Sequence, residues 1–376
     1  MKHSFALVVV IGAIAPYSNR IFDAIAKSHE LNLHVLACSA LEPHRQWAVR
    51  PGKNYRLKVL HGLRLHHKLS HLYFNPGILW ELAKIRPDAI VVGSFSPTML
   101  LAAIYAFVTK TPLGVSTDGS LATDPGGNSA IHKWIRWVIV PKATFGIGAS
   151  EASLTLLGTY GLGRKSCEIV PLVSAWDAPA SVPNFHERPY DVLFCGLLDE
   201  SKGASFFVDV LVACKLRGQT LRARVVGDGP LRELLEARCL SAGVIGVFEG
   251  YLQPEQLPAV YSSAKLLLFP TRGDAWGLVV NEATLCGTPV ICSPHAVSSV
   301  ELVERYGVGE MLPLKVDLWA DTILGVLFEA DEPNRWLLWH RNRIPAQQSF
   351  SVTRAVGRWG RLLAKLNSSK FPLQSE

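Results

Sequence analysis

The stretch PTRGDAWGLVVNEATLCGTP, residues Pro270 to Pro289, points to both the fold and the kind of site expected in this chain. It holds two carboxylates, Asp274 and Glu282, with seven residues between them. The run LVVNEATLC predicts a buried helix that begins after Gly277 and ends at Gly287, followed by the strand PVIC. Asp274 should then lie in the loop above the helix N-terminus and Glu282 more than a turn inside the helix. Two acids at two depths beside a helix N-terminus suit a ligand with two hydroxyl-bearing rings and an anion between them, which is the shape of a sugar nucleotide.

The composition indicates a globular protein with an excess of positive charge. The chain has 376 residues, of which 49% are apolar and 18% are charged, enough for two domains with cores of their own. The formal net charge is +7, and no long run of Lys or Arg favours nucleic acid. The diffuse positive charge is either ordinary surface chemistry or a surface for phosphorylated ligands or an anionic membrane. The seven cysteines are scattered, without a Cys-x-x-Cys pair, and favour a reducing cytosol over a disulfide scaffold.

The apolar N-terminus, MKHSFALVVVIGAIAP, is interpreted as a buried first strand rather than a signal peptide, because its apolar run is short and lacks an A-x-A cleavage signal. No segment reaches the roughly 18 uninterrupted apolar residues expected of a membrane span. The sequence therefore favours a cytoplasmic protein, with or without peripheral attachment to the inner face of the cell membrane.

Short apolar runs alternate with longer helix-period runs along the whole chain. Runs that are apolar throughout, such as FALVVVI and DAIVVG, predict parallel strands in sheets covered on both faces. We predict an α/β protein with two doubly wound Rossmann-like domains that face each other across a cleft, where ligands bind beyond the carboxyl ends of strands. The predicted divisions are a first domain, a Pro-rich linker, a second domain and a C-terminal helix that packs back on the first: residues 1–175, 176–189, 190–345 and 346–376.

Two further motifs stand where a strand is expected to lead into a helix. In VVGDGPL, Gly227 and Gly229 let the backbone turn sharply and Asp228 can cap the helix, although a well-made strand-to-helix turn without a ligand is the alternative. In FCGLLDESKG, Lys202 lies at the helix start, where an ammonium beside exposed N–H groups makes a diphosphate cradle. The chain has neither a G-x-x-x-x-G-K-[ST] loop nor a G-x-G-x-x-G after its first strand, which argues against P-loop nucleotidases and dinucleotide oxidoreductases.

Together these motifs resemble the retaining glycosyltransferases of family 4, the glycosyl transferases group 1, which have the GT-B fold. FCGLLDESKG, VVGDGP, GVFEGYLQPEQLPAVYSSAKLLLFPT and DAWGLVVNEATLCGTPVI occur in that family's order and spacing, and the carboxylate pair resembles its Glu-x7-Glu element. The run APYSNRIFDAIAKSHELNLHVLACSALEPHRQW resembles bacterial members that build surface polysaccharides such as lipopolysaccharide or exopolysaccharide. The resemblance implies transfer of a hexose-type sugar from a UDP-, GDP- or dTDP-linked donor to a saccharide or polyprenyl-linked acceptor, with retention and without a metal or cofactor.

The resemblance also implies roles for individual residues. Lys202 would bind the diphosphate, Glu282 would bind the ribose hydroxyls, and Asp274 would face the donor sugar. The backbone of residues 276–278 would line the diphosphate and the sugar, and the segment after GVFEG would contact the base. The implied donor-binding residues are Lys202, Gly227, Asp228, Tyr251, Leu252, Arg272, Trp276, Gly277, Leu278 and Glu282.

Three positions depart from the family pattern. Asp274 stands where the family usually has Glu, and Leu197 replaces an Arg that would supply a second diphosphate cation, for which Arg272 is the candidate replacement. Asp118, in GVSTDGS, stands where the family often has a His that faces the donor sugar. An acid there could bind a sugar hydroxyl or take the acceptor's proton, or it could form an Asx turn with Gly119. The implied catalytic residues are Asp118, Asp274 and Lys202.

Two other clusters carry weaker signals. His61, His66, His67 and His71 lie close together, with His67 and His71 one helical turn apart, but a polar face is favoured over a metal site because no Cys or acidic residue lies nearby in sequence. The segment IHKWIRWVIVPK, residues 131–142, interleaves Trp with Lys, Arg and His. It is interpreted either as a helix in a membrane interface or as a core helix with a basic outer face.

Two other functions fit the same residues. One is a sugar-nucleotide epimerase on the same fold, although the Asp274–Glu282 pair favours the transferase. The other is a non-catalytic nucleotide-sugar-binding scaffold, since Leu197 and Asp118 are what a degenerating active site would contain.

Overall fold

The computed structural model describes residues 4–41, 47, 51–67, 70–124, 127, 129–328 and 332–370. The chain divides into two compact units. The first unit is built from two separate pieces of the chain, Met1–Ala175 and Ser351–Glu376, and the second is the continuous piece Trp176–Phe350. Residues 176–189, interpreted as a linker, fall within the second unit, and the last piece of the first unit begins at Ser351 rather than at residue 346.

Strands and helices are numbered in chain order. The strands are β1 Ala6–Ile11, β2 Asn32–Ala37, β3 Arg56–Val59, β4 Leu63–His67, β5 Ser70–Phe74, β6 Ala89–Val92, β7 Leu113–Thr117, β8 Phe145–Gly148, β9 Cys167–Ile169, β10 Tyr190–Cys195, β11 Arg222–Val226, β12 Ile245–Gly250, β13 Ala264–Phe269, β14 Val290–Cys292 and β15 Gly309–Met311. The α-helices are α1 Pro16–His29, α2 Ile78–Ile85, α3 Pro97–Thr109, α4 Ala130–Ile139, α5 Glu151–Thr159, α6 Ala204–Leu216, α7 Arg232–Ala242, α8 Leu257–Ser262, α9 Leu278–Leu285, α10 Val316–Phe328, α11 Glu332–Ser349 and α12 Val352–Lys370.

The first unit is built on a parallel sheet in the order β3-β2-β1-β6-β7-β8-β9. Its central strands have apolar side chains on both faces, as a sheet covered by helices on both sides requires. Val8 and Val10 of β1 enter the core under α2 to α5, whereas Leu7 and Val9 enter the core under α1 and α12. Trp359 of α12 is buried in that second core, so the last helix of the chain is part of the first unit.

The second unit has a parallel sheet in the order β12-β11-β10-β13-β14-β15. Its two central strands, β10 and β13, pair with Val192 beside Leu266 and Leu193 beside Leu267. Because these neighbours are all parallel, the loops that follow β10, β11, β12 and β13 leave the sheet at the same edge. The predicted α/β architecture, with a parallel sheet in each of two domains, is confirmed.

The histidine-rich segment forms a β-hairpin and not a helix. β4 and β5 pair antiparallel, with His66 opposite His71 and His67 opposite Ser70, so the predicted helical spacing of His67 and His71 is wrong. The side chains of residues 65–71 lie outside the described part of the structure. Within that part, no group of three or more His, Cys, Asp or Glu side chains could hold a metal ion, and no helix is long and apolar enough to cross a bilayer.

Candidate functional site

Four strand-end loops of the second unit bring predicted site residues to one edge of its sheet. Lys202 follows β10, Gly227 and Asp228 follow β11, Tyr251 follows β12, and Asp274 follows β13. The helix α9 starts directly after the last of these loops. Because neighbouring strands are parallel, residues that are far apart in the sequence meet at this edge.

Lys202 forms an ion pair with Asp274. The lysine ammonium donates to Asp274 Oδ2 at 2.6 Å, and the side chains are 28% and 25% exposed. The pair depends on the close approach of the start of α6 to the loop after β13, where Gly203 adopts a positive φ of 73°. A Cβ at Gly203 would collide with the carbonyl oxygen of Pro270, so this approach requires glycine. The lysine is thereby held at the start of α6, with its charge partly open to solvent.

Asp274 also orders the loop that leads into α9. Its Oδ1 accepts hydrogen bonds from the backbone N–H groups of Gly277, at 3.0 Å, and Trp276, at 3.3 Å, so protein donors engage both carboxylate oxygens. The Trp276 ring is buried, and its Nε1 donates to Asn281 Oδ1 at 2.7 Å. Trp276 therefore packs its ring against α9 and can offer a ligand only its backbone. At the start of that helix the Val280 N–H donates to the Gly277 carbonyl at 3.1 Å, whereas the N–H groups of Leu278 and Val279 precede the first helical hydrogen bond and can face a ligand.

Glu282 lies one turn inside α9 and is buried, with 8% of its surface exposed. The Tyr261 hydroxyl donates to Glu282 Oε2 at 2.6 Å. Burial raises the pKa of Glu282 to about 7, and the hydrogen bond from Tyr261 acts in the opposite direction by favouring the carboxylate. The two acids of residues 270–289 thus lie at different depths, as predicted, with Asp274 in the loop and Glu282 inside the helix.

A chain of hydrogen bonds behind Tyr261 supports Glu282. The Thr288 hydroxyl donates to the Tyr261 carbonyl at 2.6 Å, and Arg188 Nη1 donates to Thr288 Oγ1 at 2.7 Å. Arg188 Nη2 also donates to the Gly287 carbonyl at 3.0 Å, just beyond the end of α9. Burial lowers the pKa of Arg188 to about 10, which leaves the guanidinium charged at neutral pH. Sequence reasoning missed Tyr261, Thr288 and Arg188, and the only signal for them is that they are polar residues beside apolar runs.

The turn after β11 packs against the loop after β10. Gly227 has a φ of 132°, and a Cβ at that position would collide with the Gly196 carbonyl oxygen. The prediction that Asp228 caps the following helix is wrong, because α7 starts at Arg232 without a side-chain cap. Asp228 Oδ1 instead accepts from the backbone N–H of Gly229 at 2.9 Å. Close packing of two loops accounts for the glycines, which favours the interpretation of this motif as a strand-to-helix turn.

The remaining predicted residues occupy three kinds of position. Arg272 is exposed, and its backbone N–H donates to the Ser201 carbonyl at 2.8 Å, beside the start of α6. Asp118 directly follows β7 in the first unit, whereas the other predicted residues belong to the second. The remaining three residues, Leu197, Tyr251 and Leu252, are partly buried and lie in the strand-end loops of the second unit.

The part of the chain that carries these loops matches a known family. Residues 189–328 match the family model described as Glycosyl transferases group 1. The chain is 25% identical to sulfoquinovosyl transferase SQD2 of Arabidopsis thaliana, over 59% of this chain and 46% of that protein. It is 29% identical to 2-deoxystreptamine glucosyltransferase of Streptomyces kanamyceticus, over 41% of this chain and 43% of that protein. This chain therefore spans less than half the length of either relative.

A solved structure has the same fold over nearly the whole chain. Anabaena Alr3699/HepE in complex with UDP-glucose matches with a TM-score of 0.72 at 18% identity, covering 96% of this chain and 99% of that one. At this identity the likeness concerns the fold. The chain thus has the two-domain α/β fold of GT-B glycosyltransferases, and its second unit carries the match to glycosyl transferases group 1.

Proposed function

We propose, on the premise of this fold and this family match, that the protein is a glycosyltransferase that moves a sugar from a nucleotide-linked donor to a saccharide or lipid-linked saccharide. The observation that carries the proposal is the placement of the Lys202–Asp274 ion pair at the starts of α6 and α9, with the buried Glu282 one turn farther into α9. A cation and a helix N-terminus suit the diphosphate of a ligand, and a buried carboxylate nearby suits the ribose of the same ligand.

The donor diphosphate would bind to Lys202 and to the first N–H groups of α9. Negative charge develops on the leaving diphosphate during transfer, so donors that are already held in place lower the barrier, and we propose that neither a metal nor another cofactor is needed. Arg272, exposed on the same loop as Asp274, is the proposed second cation in place of the missing arginine at Leu197.

The ribose hydroxyls would donate to Glu282. Tyr261 engages Oε2 of that carboxylate, which leaves Oε1 to accept from the ligand. The base would contact the segment at Tyr251 and Leu252, and Asp274 would face the sugar. For Asp118 we propose a part in binding a sugar hydroxyl or in taking the proton of the acceptor.

The reaction is proposed as a retaining hexosyl transfer in the assembly of a surface polysaccharide. The location would be the cytoplasm, at the inner face of the membrane where the acceptor is polyprenyl-linked. UDP is the first nucleotide to test, because Anabaena HepE holds UDP-glucose on the same fold. Nothing in the described residues favours an epimerase or a scaffold over this function.

A calorimetric titration with UDP, GDP and dTDP tests the donor site directly. We expect one of the three to bind and to stabilise the folded protein by about 2.7 kcal/mol at 100 times its dissociation constant. The corresponding sugar nucleotide should then be consumed only when an acceptor saccharide is present. Conversion of the donor without an acceptor would show an epimerase, and binding without turnover would show a scaffold. If none of the three nucleotides binds, the proposal is wrong.

Substitution of Tyr261 with phenylalanine should shift the pH dependence of nucleotide binding. The ionised Glu282 is the better acceptor for ribose hydroxyls, so affinity should rise with pH as this group deprotonates near its pKa of about 7. Loss of the Tyr261 hydroxyl removes the hydrogen bond that favours the carboxylate, so the rise should move to higher pH and affinity at pH 7 should fall roughly fivefold. Calorimetry between pH 6 and 9 measures both effects.

Tyr190→Phe is the matched control for this substitution. Tyr190 begins β10, at the opposite edge of the same sheet, where its ring lies under the guanidinium of Arg222 at 4.9 Å. Its phenylalanine variant should keep the wild-type pH profile of nucleotide affinity. A Tyr261→Phe profile that coincides with the wild-type profile would show that Tyr261 does not position Glu282.

A further inference from the structure

Helices α3 and α4 of the first unit carry an outer surface that the proposed donor site does not use. Their inner sides are part of the core beneath them, where Met99 and Ala102 of α3 lie with Ile135 and Ile139 of α4. The ammonium of Lys142, just after α4, lies 5.4 Å from the centre of the Phe107 ring of α3, so the two helices are neighbours on the surface as well.

The outer sides of these helices expose large apolar side chains. Trp134 and Trp137, less than one turn apart on α4, are 58% and 61% exposed. Val108 and Ile104, one turn apart on α3, are 78% and 45% exposed. Single exposed apolar residues are ordinary, but two exposed tryptophans on one helix and two exposed aliphatic residues on its neighbour are the concentration of apolar surface that marks an interaction site. The Trp137 ring also packs edge-on against Tyr160, with centroids 5.3 Å apart. The interpretation of residues 131–142 as a core helix with a basic outer face agrees with the structure, since Ile135 and Ile139 face the core and Lys133 is exposed, and the tryptophans lie on the outer side.

The stretches of chain that form α3 and α4 are cationic and contribute no acid of their own to this surface. Residues 97–117 and 129–150 contain no Asp or Glu, and Lys133 and Lys142 are exposed. The arginine of α4, Arg136, is turned inward, where its Nη2 donates to Asp124 Oδ1 at 2.7 Å in a buried ion pair. That internal pair leaves the two lysines as the outward charges of α4 and its end. We call these six residues the apolar–basic surface: Ile104, Val108, Lys133, Trp134, Trp137 and Lys142.

The other strongly basic helix of the first unit shows the contrast. On α12, Arg358 and Arg361 donate to Glu168 Oε1 at 2.8 and 3.1 Å, so these charges are partly neutralised. The large apolar side chains of that helix, such as Trp359 and Leu362, are buried against the sheet. Exposed tryptophan and exposed lysine thus occur together on α4, whereas on α12 Trp359 is buried and Lys365 lies 3.8 Å from Glu168.

We propose that the apolar–basic surface binds the headgroup region of an anionic phospholipid bilayer. Tryptophan prefers the boundary between headgroups and acyl chains. The aliphatic side chains would insert into the outer part of the acyl-chain region, and the lysines would form ion pairs with lipid phosphates. This inference rests on the proposed function only for its purpose, which is to bring the enzyme to a lipid-linked acceptor. The binding itself needs neither nucleotide nor acceptor.

Vesicle flotation of the full-length protein tests the proposal. We expect binding to vesicles of phosphatidylcholine mixed with phosphatidylglycerol, weaker binding to phosphatidylcholine alone, and loss of binding as salt is raised. Trp134→Ser with Trp137→Ser should lower the partition coefficient at least about tenfold. Lys133→Ser with Lys142→Ser should lower it roughly fivefold for each charge removed and should weaken its salt dependence.

Two double variants are the matched controls. Leu216→Ser with Leu240→Ser removes apolar residues that are 83% exposed on helices of the second unit, and Lys27→Ser with Lys53→Ser removes exposed lysines elsewhere on the first. Both should bind anionic vesicles as the wild type does. Nucleotide binding, measured on every variant, should stay at the wild-type value, so failure of the donor site and failure of this surface are seen separately.

Three outcomes would overturn the proposal. One is absence of wild-type binding to anionic vesicles, and another is an equal loss of binding in the control variants. The third is a concentration-dependent dimer that the tryptophan variant abolishes while vesicles stay unbound, which would make the surface an interface between copies of this chain. Should the tryptophan variant fail to fold, as judged by thermal unfolding, the lysine variant and the salt dependence still decide.

Discussion

Replacement of Lys202 with alanine should lower the rate of sugar transfer by about 100- to 1000-fold, the effect of removing one preorganised donor from a site where negative charge develops. The change also removes the ion-pair partner of Asp274, whose Oδ2 lies 2.6 Å from the lysine ammonium. The unpaired carboxylate would then repel a diphosphate. We expect the loss in kcat as well as in donor binding, because the leaving diphosphate carries more charge in the transition state than in the bound donor. Steady-state kinetics on the purified variant, with its thermal unfolding recorded, measure both.

Lys265 provides a matched control for this substitution. It pairs with Asp191 at 2.8 Å, and both side chains are 18% exposed, so the interaction resembles the Lys202 pair. It lies, however, at the starts of β10 and β13, the opposite edge of the same sheet. Lys265→Ala should cost a little stability and leave kcat within about twofold of the wild type. Equal losses of transfer in the two variants would mean that Lys202 acts on folding and not on the diphosphate.

Replacement of Glu282 with glutamine should weaken nucleotide binding at least about tenfold, since a hydrogen bond to a charged group contributes about 1.5–3 kcal/mol. Glutamine keeps the size of the buried side chain, and its amide oxygen can still accept from Tyr261, so packing in α9 should be retained. The part of the rise of nucleotide affinity through pH 7 that comes from Glu282, whose pKa burial raises to about 7, should disappear, and only the ionisation of the nucleotide's terminal phosphate, with a pKa of about 6, should remain. Calorimetry at several pH values checks the affinity and its pH dependence together.

Thr284 on the same helix is the matched control. It is buried, and its hydroxyl makes no hydrogen bond within the described part of the chain. Thr284→Val keeps the shape and removes only this unpaired hydroxyl, so nucleotide affinity should not change and stability should stay equal or rise. Wild-type affinity of Glu282→Gln at pH 8 would show that this carboxylate does not bind the ribose.

The sheets and the edge that carries the candidate site were predictable from the sequence for a physical reason. A parallel strand buried on both faces must be apolar throughout, and runs such as FALVVVI and KLLLFP have no other simple explanation. Once the strands are recognised, residues at their carboxyl ends are expected to meet, as the loops of Lys202 and Asp274 do. The spacing of Asp274 and Glu282 then follows from the position of the helix start between them.

The contacts among these residues were not predictable, because each joins parts of the chain that are far apart. The Tyr261 hydroxyl donates to Glu282, 21 residues along the chain, and Arg188 donates to Thr288, 100 residues along the chain, with nothing local to mark either pair. The hairpin of β4 and β5 was missed because its short strands, LRLHH and SHLYF, mix polar and apolar residues and lack the uniform burial that identified the others. Asp228 fails as a cap because the backbone N–H of Leu231 donates to the neighbouring loop, which delays the start of α7.

The discontinuity of the first unit has a consequence for the order in which the protein forms during synthesis. The second unit is one uninterrupted stretch, so all of its strands and helices are available before residues 351–370 are made. The core beneath α1 includes Ala355, Trp359 and Leu363 of α12, so it stays incomplete until that helix arrives. We therefore expect the unit that begins translation first to finish folding last, with one apolar face of its sheet uncovered until α12 has been made.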